Sequence, residues 1–139
     1  MAREEIILRL GMIEQEMNKL QEHLQLIEQN ILELQNLQMS LQELKDSKEK
    51  QMLANLGKNI FIETEVQNKN LFVDVGNKTF VKKNIPETIK IIEEQISKLM
   101  QAKNHVLGKM QETQQQAQSI IAEAEKSESE KTKKKINFS

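Results

Sequence analysis

Two long seams of apolar residues constrain the fold of this chain more than any other feature. The first seam alternates steps of four and three residues: Ile6, Leu10, Ile13, Met17, Leu20, Leu24, Ile27, Ile31 and Leu34. The second seam repeats this rhythm: Ile85, Ile89, Ile92, Ile96, Leu99, Val106, Met110, Ala117, Ile120 and Ala124. Such spacing is the a/d pattern of a left-handed coiled coil. We therefore predict two helices, each roughly 70 Å long, that fold back on each other as an antiparallel pair.

The boundaries of these helices can be predicted from local signals. The first helix should occupy residues 1–50, with a three-residue phase slip near Gln38, where Leu37 takes over the seam. The second helix should occupy residues 84–128, because Asn84 can cap it and Pro86 suits its first turn. The charged, lysine-rich residues 129–139 are predicted to be disordered.

Residues 51–83 have strand periodicity instead. Apolar and polar residues alternate over 60–66 and again over 71–75, and Gly76-Asn77 suits a tight turn into a further strand at 79–81. A weaker strand over 51–54 could pair with 59–66 across Leu56-Gly57. We predict two β-hairpins, and hence a single α+β domain over residues 1–139.

Two short hairpins cannot bury their own faces and edges. Pairs of strands this short are marginal in water, and open edges seek partners. We therefore expect an oligomer in which the hairpins close into a shared β-barrel platform, with the helices projecting from it. The predicted oligomerisation residues are Ile60, Phe61, Ile62, Val66, Leu71, Phe72, Val73, Val75, Phe80 and Val81.

Composition argues against several classes of function. A net charge of −1 and 3% aromatic residues disfavour nucleic-acid binding. The chain has no cysteine, and its two histidines, His23 and His105, lack metal-ligand spacing. Neither a signal peptide nor a bilayer-spanning run is evident. We expect a cytoplasmic protein that is not an enzyme, has no cofactor or metal, and binds neither nucleic acid nor membrane.

The order of elements resembles one known family. A long heptad helix, the stretch LANLGKNIFIETEV at 53–66, the hairpin LFVDVGNKTFV at 71–81 and a second heptad helix are similar to prefoldin. Two hairpins rather than one indicate the alpha class. The resemblance implies a hexamer of two alpha-class and four beta-class subunits. It also implies that the helix tips capture unfolded polypeptide and deliver it to a group II chaperonin without ATP.

Apolar residues in excess of the seams lie near the free ends of the predicted helices. Their clustering predicts a loose, promiscuous binding surface for unfolded chains. The predicted client-binding residues are Ile6, Ile7, Leu8, Leu10, Met12, Ile13, Ile120 and Ile121.

Two other interpretations stay open. One is a structural coiled-coil spacer or filament subunit that binds no general client. The other is a nucleic-acid-associated protein that uses Lys131, Lys133, Lys134 and Lys135, although the acidic residues just before this cluster favour a solvated tail.

Overall fold

The protein consists of two long helices with a small β insert between them, as predicted. The structure, a computed structural model, describes the backbone of residues 2–137 and the side chains of residues 2–130. Its elements in chain order are α1 (Arg3–Asp46), β1 (Gln51–Gly57), β2 (Ile60–Glu65), β3 (Leu71–Asp74), β4 (Phe80–Lys83) and α2 (Ile85–Asn137). The chain divides into two compact units. The first unit combines Met1–Asn30 with Leu99–Ser139, and the second is Ile31–Lys98.

The first unit is a pair of antiparallel helical segments. Glu28 of α1 forms an ion pair with Lys103 of α2 at 3.5 Å, while Ile13, earlier in α1, lines a groove with Ala117, later in α2. The two helical segments therefore run in opposite directions. Ile27 and Val106 are the most buried apolar residues of this unit, at 4% and 3% exposure.

The second unit has its core where both helices meet a strand. Its buried residues are Leu41, Ile85 and Ile92, against which Leu34, Leu44, Leu71, Ile89 and Ile96 pack. All but Leu71 come from the helices, and Leu71 lies on β3. This strand is therefore attached to the helical core by its first apolar side chain.

Burial along α1 follows the predicted seam but not the predicted phase slip. Gln38 keeps its seam position, half-buried, and its Nε2 donates a hydrogen bond to Oε1 of Glu93 at 3.2 Å. Leu37 is 46% exposed, so its predicted place in the seam is wrong. The slip comes one step later. Gln38, Leu41 and half-buried Leu44 follow each other at two successive steps of three residues, where the seam otherwise alternates three and four. A glutamine is tolerated in the seam because its amide reaches a carboxylate at the edge.

The first helix ends at Asp46, a few residues earlier than its predicted end. A lysine from the loop after β2 caps this end: Nζ of Lys69 donates to the backbone oxygens of Lys45 and Ser47, at 2.7 Å each. The last carbonyls of a helix lack partners within it, and a cation there also complements the helix dipole. The loop therefore stabilises the point at which α1 stops.

The second helix begins as predicted and ends later. Oδ1 of Asn84 accepts a hydrogen bond from the backbone N–H of Glu87 at 2.8 Å, which confirms Asn84 as the cap. The helix continues to Asn137, beyond the boundary predicted at 128. No proline or glycine follows Gly108 to interrupt it. Residues 138–139 and the side chains of the lysine cluster at 131–135 lie outside the described residues.

The strands β1 and β2 form one antiparallel sheet. The register pairs Gln51 with Glu65 and Ala54 with Ile62, and Leu56 bulges out of the ladder. The turn lies at Lys58 and Asn59, whose φ angles are 49° and 63°. Its predicted position across Leu56-Gly57 is therefore wrong, and β1 is longer than expected. Two central residues with positive φ make the primed turn that matches strand twist.

The strands β3 and β4 form a second, separate sheet. The register pairs Leu71 with Lys83 and Val73 with Val81. The turn centres on Asn77 and Lys78, with φ of 51° and 59°, one residue after the predicted Gly76-Asn77. The predicted strand residues Val66, Val75 and Thr79 lie just outside the strands. Each sheet has two strands, so a closed barrel would need strands from other chains.

Candidate binding surfaces

Three apolar side chains near the start of α1 face solvent. Ile7, Leu8 and Met12 are 63%, 65% and 63% exposed, and we call these three residues the terminal patch. An antiparallel partner helix covers only one stripe of α1, which the seam residues already fill. The terminal patch is therefore apolar surface that the first unit leaves open.

The other predicted client-binding residues divide into two groups. Ile6, Leu10, Ile13 and Ile120 occupy seam positions and are half-buried, whereas Ile121 is 45% exposed. These half-buried residues shape the helix pair and contribute only their edges to its surface.

An open groove brings some of these residues together. It has a volume of about 780 Å³ and is lined by Arg9, Met12, Ile13, Gln15, Glu16, Lys19, Gln116 and Ile120. Three apolar side chains, Met12, Ile13 and Ile120, thus share one concave surface with a polar rim. Such a surface offers apolar contact to side chains, and its amides can hydrogen-bond a peptide backbone.

The polar rim of this groove was not found from the sequence. Gln15 and Gln116 belong to a chain rich in glutamine, and no motif distinguishes them from the others. Only the pairing of α1 with α2 in the first unit places them around Met12 and Ile120. On the same stretch of α1, Arg9 is held by an ion pair with Glu5 at 3.3 Å.

The sheets expose large apolar side chains, and the described chain does not cover them. Among the predicted oligomerisation residues, those classed as exposed are Ile60, Phe61, Ile62, Phe72, Val75, Phe80 and Val81. Val66, Leu71 and Val73 are half-buried. Folding of this chain alone therefore leaves most of the predicted interface in water, where its apolar area is available to another chain.

The two faces of the β3–β4 sheet differ. Leu71 and Val73 point to one face, and Leu71 packs on the helical core. Phe72 and Phe80 point to the other face and are 69% and 61% exposed. Residues along a strand alternate between faces, so the aromatic face is directed away from the chain's own core.

The first strand adds exposed residues that were not predicted. Met52, Leu53 and Leu56 on β1 are 45%, 61% and 68% exposed. The sequence predicts that this strand stops at Ala54 and assigns no role to its apolar residues. The alternation that reveals a strand is weak here because Ala54 and Asn55 interrupt the apolar run.

The described part of the chain offers neither a metal-binding cluster nor a membrane-spanning helix. Within it, no group of three or more histidine, cysteine, aspartate or glutamate residues could hold a metal ion. The described stretches of α1 and α2 also contain no segment long and apolar enough to cross a membrane.

Several known proteins are similar to this chain in sequence or in fold. The prefoldin family model, described as "Prefoldin subunit", matches residues 13–131. The chain is 33% identical over 105 residues to the prefoldin subunit alpha of Methanococcus maripaludis, covering 75% of this chain and 72% of that one. It is 24% identical over 90 residues to the prefoldin subunit alpha of Methanosphaera stadtmanae, covering 65% of each chain.

The fold is also similar to that of solved structures. One of them is a cryo-EM structure of filamentous PFD from Methanocaldococcus jannaschii, with a TM-score of 0.73 and 22% identity. The alignment covers 83% of this chain and 97% of the other.

Proposed function

The chain belongs to the prefoldin family, and from that premise we propose that it is an ATP-independent holdase subunit that captures unfolded polypeptide. Membership of this family implies a chaperone-type subunit. The finer proposal is that capture occurs at the ends of the helices and that the client then passes to a group II chaperonin in the cytoplasm. The observation that carries it is the exposure of the terminal patch beside an apolar groove.

The chemistry of the terminal patch suits non-native clients. Unfolded chains present apolar side chains in no fixed geometry, so a useful surface must be apolar, adaptable and only weakly specific. Ile7, Leu8 and Met12 provide apolar area, and methionine adapts its shape readily. The glutamines and charged groups around the neighbouring groove can satisfy the backbone polar groups of a bound segment.

Assembly of the subunit is proposed to depend on the sheets. Strands β1 to β4 expose aromatic and aliphatic side chains, and each sheet has two open edges. Pairing with strands of other subunits would cover this area and satisfy the edge groups. Since two relatives are named prefoldin subunit alpha, we propose beta-class subunits as partners, in a hexamer of two alpha-class and four beta-class chains.

A weak patch can still hold a client if several patches act together. Each patch offers a few apolar side chains, so its affinity is low. Several copies in one assembly raise the effective concentration of binding sites around the client. Weak individual contacts also permit release, which transfer to a chaperonin requires.

The proposal is tested by removing the terminal patch without disturbing the fold. Ile7, Leu8 and Met12 are changed together to Ser, and the matched control changes the exposed residues Leu26, Leu32 and Met39 to Ser. Both variants should keep the wild-type mass and circular dichroism, because each removes only exposed side chains. The patch variant should lose most of its protection of an unfolded client, measured by light scattering, and the control should retain it.

Equal protection by the patch variant and wild type would refute capture at the terminal patch and would favour the structural spacer or filament subunit. Removal of residues 131–139 provides a further comparison. We expect a smaller loss of protection than in the patch variant, because that segment is rich in charge.

A further inference from the structure

The first unit exposes apolar residues along the side of α2 as well as near its end. Met100, Leu107 and Ile121 are 46%, 42% and 45% exposed, and we call these three residues the lateral stripe. Each follows directly on a seam residue, and they are separated by seven and fourteen residues. Gln114 occupies the intermediate position. A period of seven places all four side chains on one face of the helix.

The antiparallel arrangement of this unit places a polar margin beside the lateral stripe. On α1 the matching heptad position follows every second seam residue and is occupied by Ile7, Glu14, Gln21 and Glu28. Glu14 lines one groove with Gln114, and Glu28 reaches Lys103 at 3.5 Å. The margin is therefore acidic and amide-rich, with Ile7 at the same end as Ile121.

Positive charge is displaced from this face. The described cations of the segments 7–28 and 99–125 are Arg9, Lys19, Lys103 and Lys109. Lys103 is a seam residue whose charge is met by Glu28. Arg9, Lys19 and Lys109 lie at heptad positions on the other sides of their helices. The lateral stripe is thus an apolar line bordered by carboxylates and amides.

We propose that the lateral stripe docks an amphipathic helix of a partner protein whose apolar residues recur in heptads and whose flanking residues are lysine or arginine. Side chains seven residues apart on a helix are separated by about 10.5 Å. A second helix presents side chains at the same interval, whereas an extended strand places same-face side chains about 7 Å apart. Basic flanks would complement the carboxylate of Glu14, which borders the lateral stripe, whereas the charge of Glu28 is already met by Lys103. This function goes beyond client capture, because its ligand is a folded helix.

The test uses a dye-labelled synthetic peptide of about three heptads with leucine at a and d and lysine at the flanking positions. One control peptide has its leucines scrambled, and another has glutamate in place of lysine. Binding to the assembled full-length protein is measured by fluorescence anisotropy at low and high salt. The lysine-flanked peptide should bind at least about tenfold more tightly than either control. High salt should reduce the difference in affinity between the lysine peptide and the glutamate peptide.

Variants then locate the binding surface. Changing Met100 and Leu107 together to Gln should weaken binding by about tenfold, because two apolar contacts are lost. Leu26→Gln, at a residue of the same unit that is 59% exposed, should change affinity by less than about twofold. Glu14→Lys leaves every apolar side chain in place, and it should reverse the preference between the lysine and glutamate peptides.

Several results would overturn the proposal. Equally tight binding of the scrambled peptide would make the surface generic, and an unchanged affinity in the Met100/Leu107 variant would place the peptide elsewhere. A fall in the oligomer mass of that variant would assign the lateral stripe to contacts between copies. The variant should also protect an unfolded client as well as wild type does, so a loss of protection would assign the stripe to client capture. If the terminal-patch variant protects a client as well as wild type does, the proposed client capture is refuted. Each of these four results keeps its meaning for the lateral stripe in that case.

Discussion

Adjacent residues on one helix can differ completely in how much they contribute to the stability of the fold. Leu26 is 59% exposed and Ile27 is 4% exposed, although the two side chains are isomers. The difference arises because successive side chains on a helix point about 100° apart, and only Ile27 faces the partner segment. Composition alone therefore says little about which apolar residues stabilise the fold.

Truncation of the buried seam should reveal this difference. Ile27→Ala in the first unit and Ile92→Ala in the second should each lower the free energy of unfolding by about 2–4 kcal/mol, from lost transfer energy and a residual cavity. Leu26→Ala is the matched control and should cost less than about 0.5 kcal/mol. Denaturant titration followed by circular dichroism measures all three. A loss below the control's level at Ile27 or Ile92 would contradict the paired seam at that position.

Polar residues within the seam are each satisfied locally. Oγ1 of Thr113, 4% exposed, donates to the backbone oxygen of Lys109 at 2.8 Å. Gln38 bonds to Glu93, and Lys103 pairs with Glu28. Because no hydrogen-bonding group at these three positions is buried without a partner, the seam tolerates them at little cost.

At the scale of elements, the type and order of the helices and strands are easier to predict from the sequence than the positions of the turns. The seams predict α1 and α2 because heptad spacing persists over many turns. The sequence predicts both turns one or two residues too early, because glycine is the residue that adopts positive φ most easily. In the structure, the central turn residues with positive φ are Lys58 and Asn59 in one turn and Asn77 and Lys78 in the other. Competing residues at one seam position, such as Leu37 and Gln38, could not be separated without knowing that Glu93 lies opposite.

The candidate sites were predictable in part for the same reason. Surplus apolar residues at 7, 8 and 12 are visible in the sequence, because a single seam cannot bury them. The groove around Met12 and Ile120 depends on the pairing of segments about one hundred residues apart. A single sequence carries no direct signal for that register.

Strand β3 should be required for assembly of the oligomer but not for formation of the helices. Val73→Pro removes a backbone donor and fixes φ within a strand that pairs Val73 with Val81. Light-scattering mass should therefore fall to that of smaller species, while most of the helical circular dichroism remains. Val73→Thr, which keeps strand geometry, is the control and should assemble. An intact oligomer in the proline variant would show that this sheet does not hold the subunits together.

At the scale of the whole molecule, the proposed function depends on the number of subunits in one assembly. One chain presents one terminal patch, and its exposed sheets are proposed to join it to others. The surface proposed to bind clients and the surface proposed to join subunits are formed by different residues, so each can be altered separately.

Disassembly should therefore reduce protection even though every terminal patch is intact. At equal concentrations of chain, the Val73→Pro variant should suppress client aggregation less than wild type, because its patches no longer act on one client together. Co-assembly with a beta-class subunit should give the wild-type mass and protection with the Val73→Thr control but not with the Val73→Pro variant. Equal protection per chain by dispersed and assembled subunits would argue against multivalent capture.

The uneven burial of the first unit has a kinetic consequence. Ile27, Val106 and Thr113 are buried, whereas Ile6, Leu10, Ile13, Ala117, Ile120 and Ala124 are only half-buried. Segments with little buried area open locally at a lower free energy than the rest. In hydrogen–deuterium exchange, amides of residues 6–13 and 117–124 should exchange orders of magnitude faster than those around Ile27 and Val106. The terminal turns would then open and close many times during one global unfolding event, and the patch would be presented by a backbone that is itself in motion.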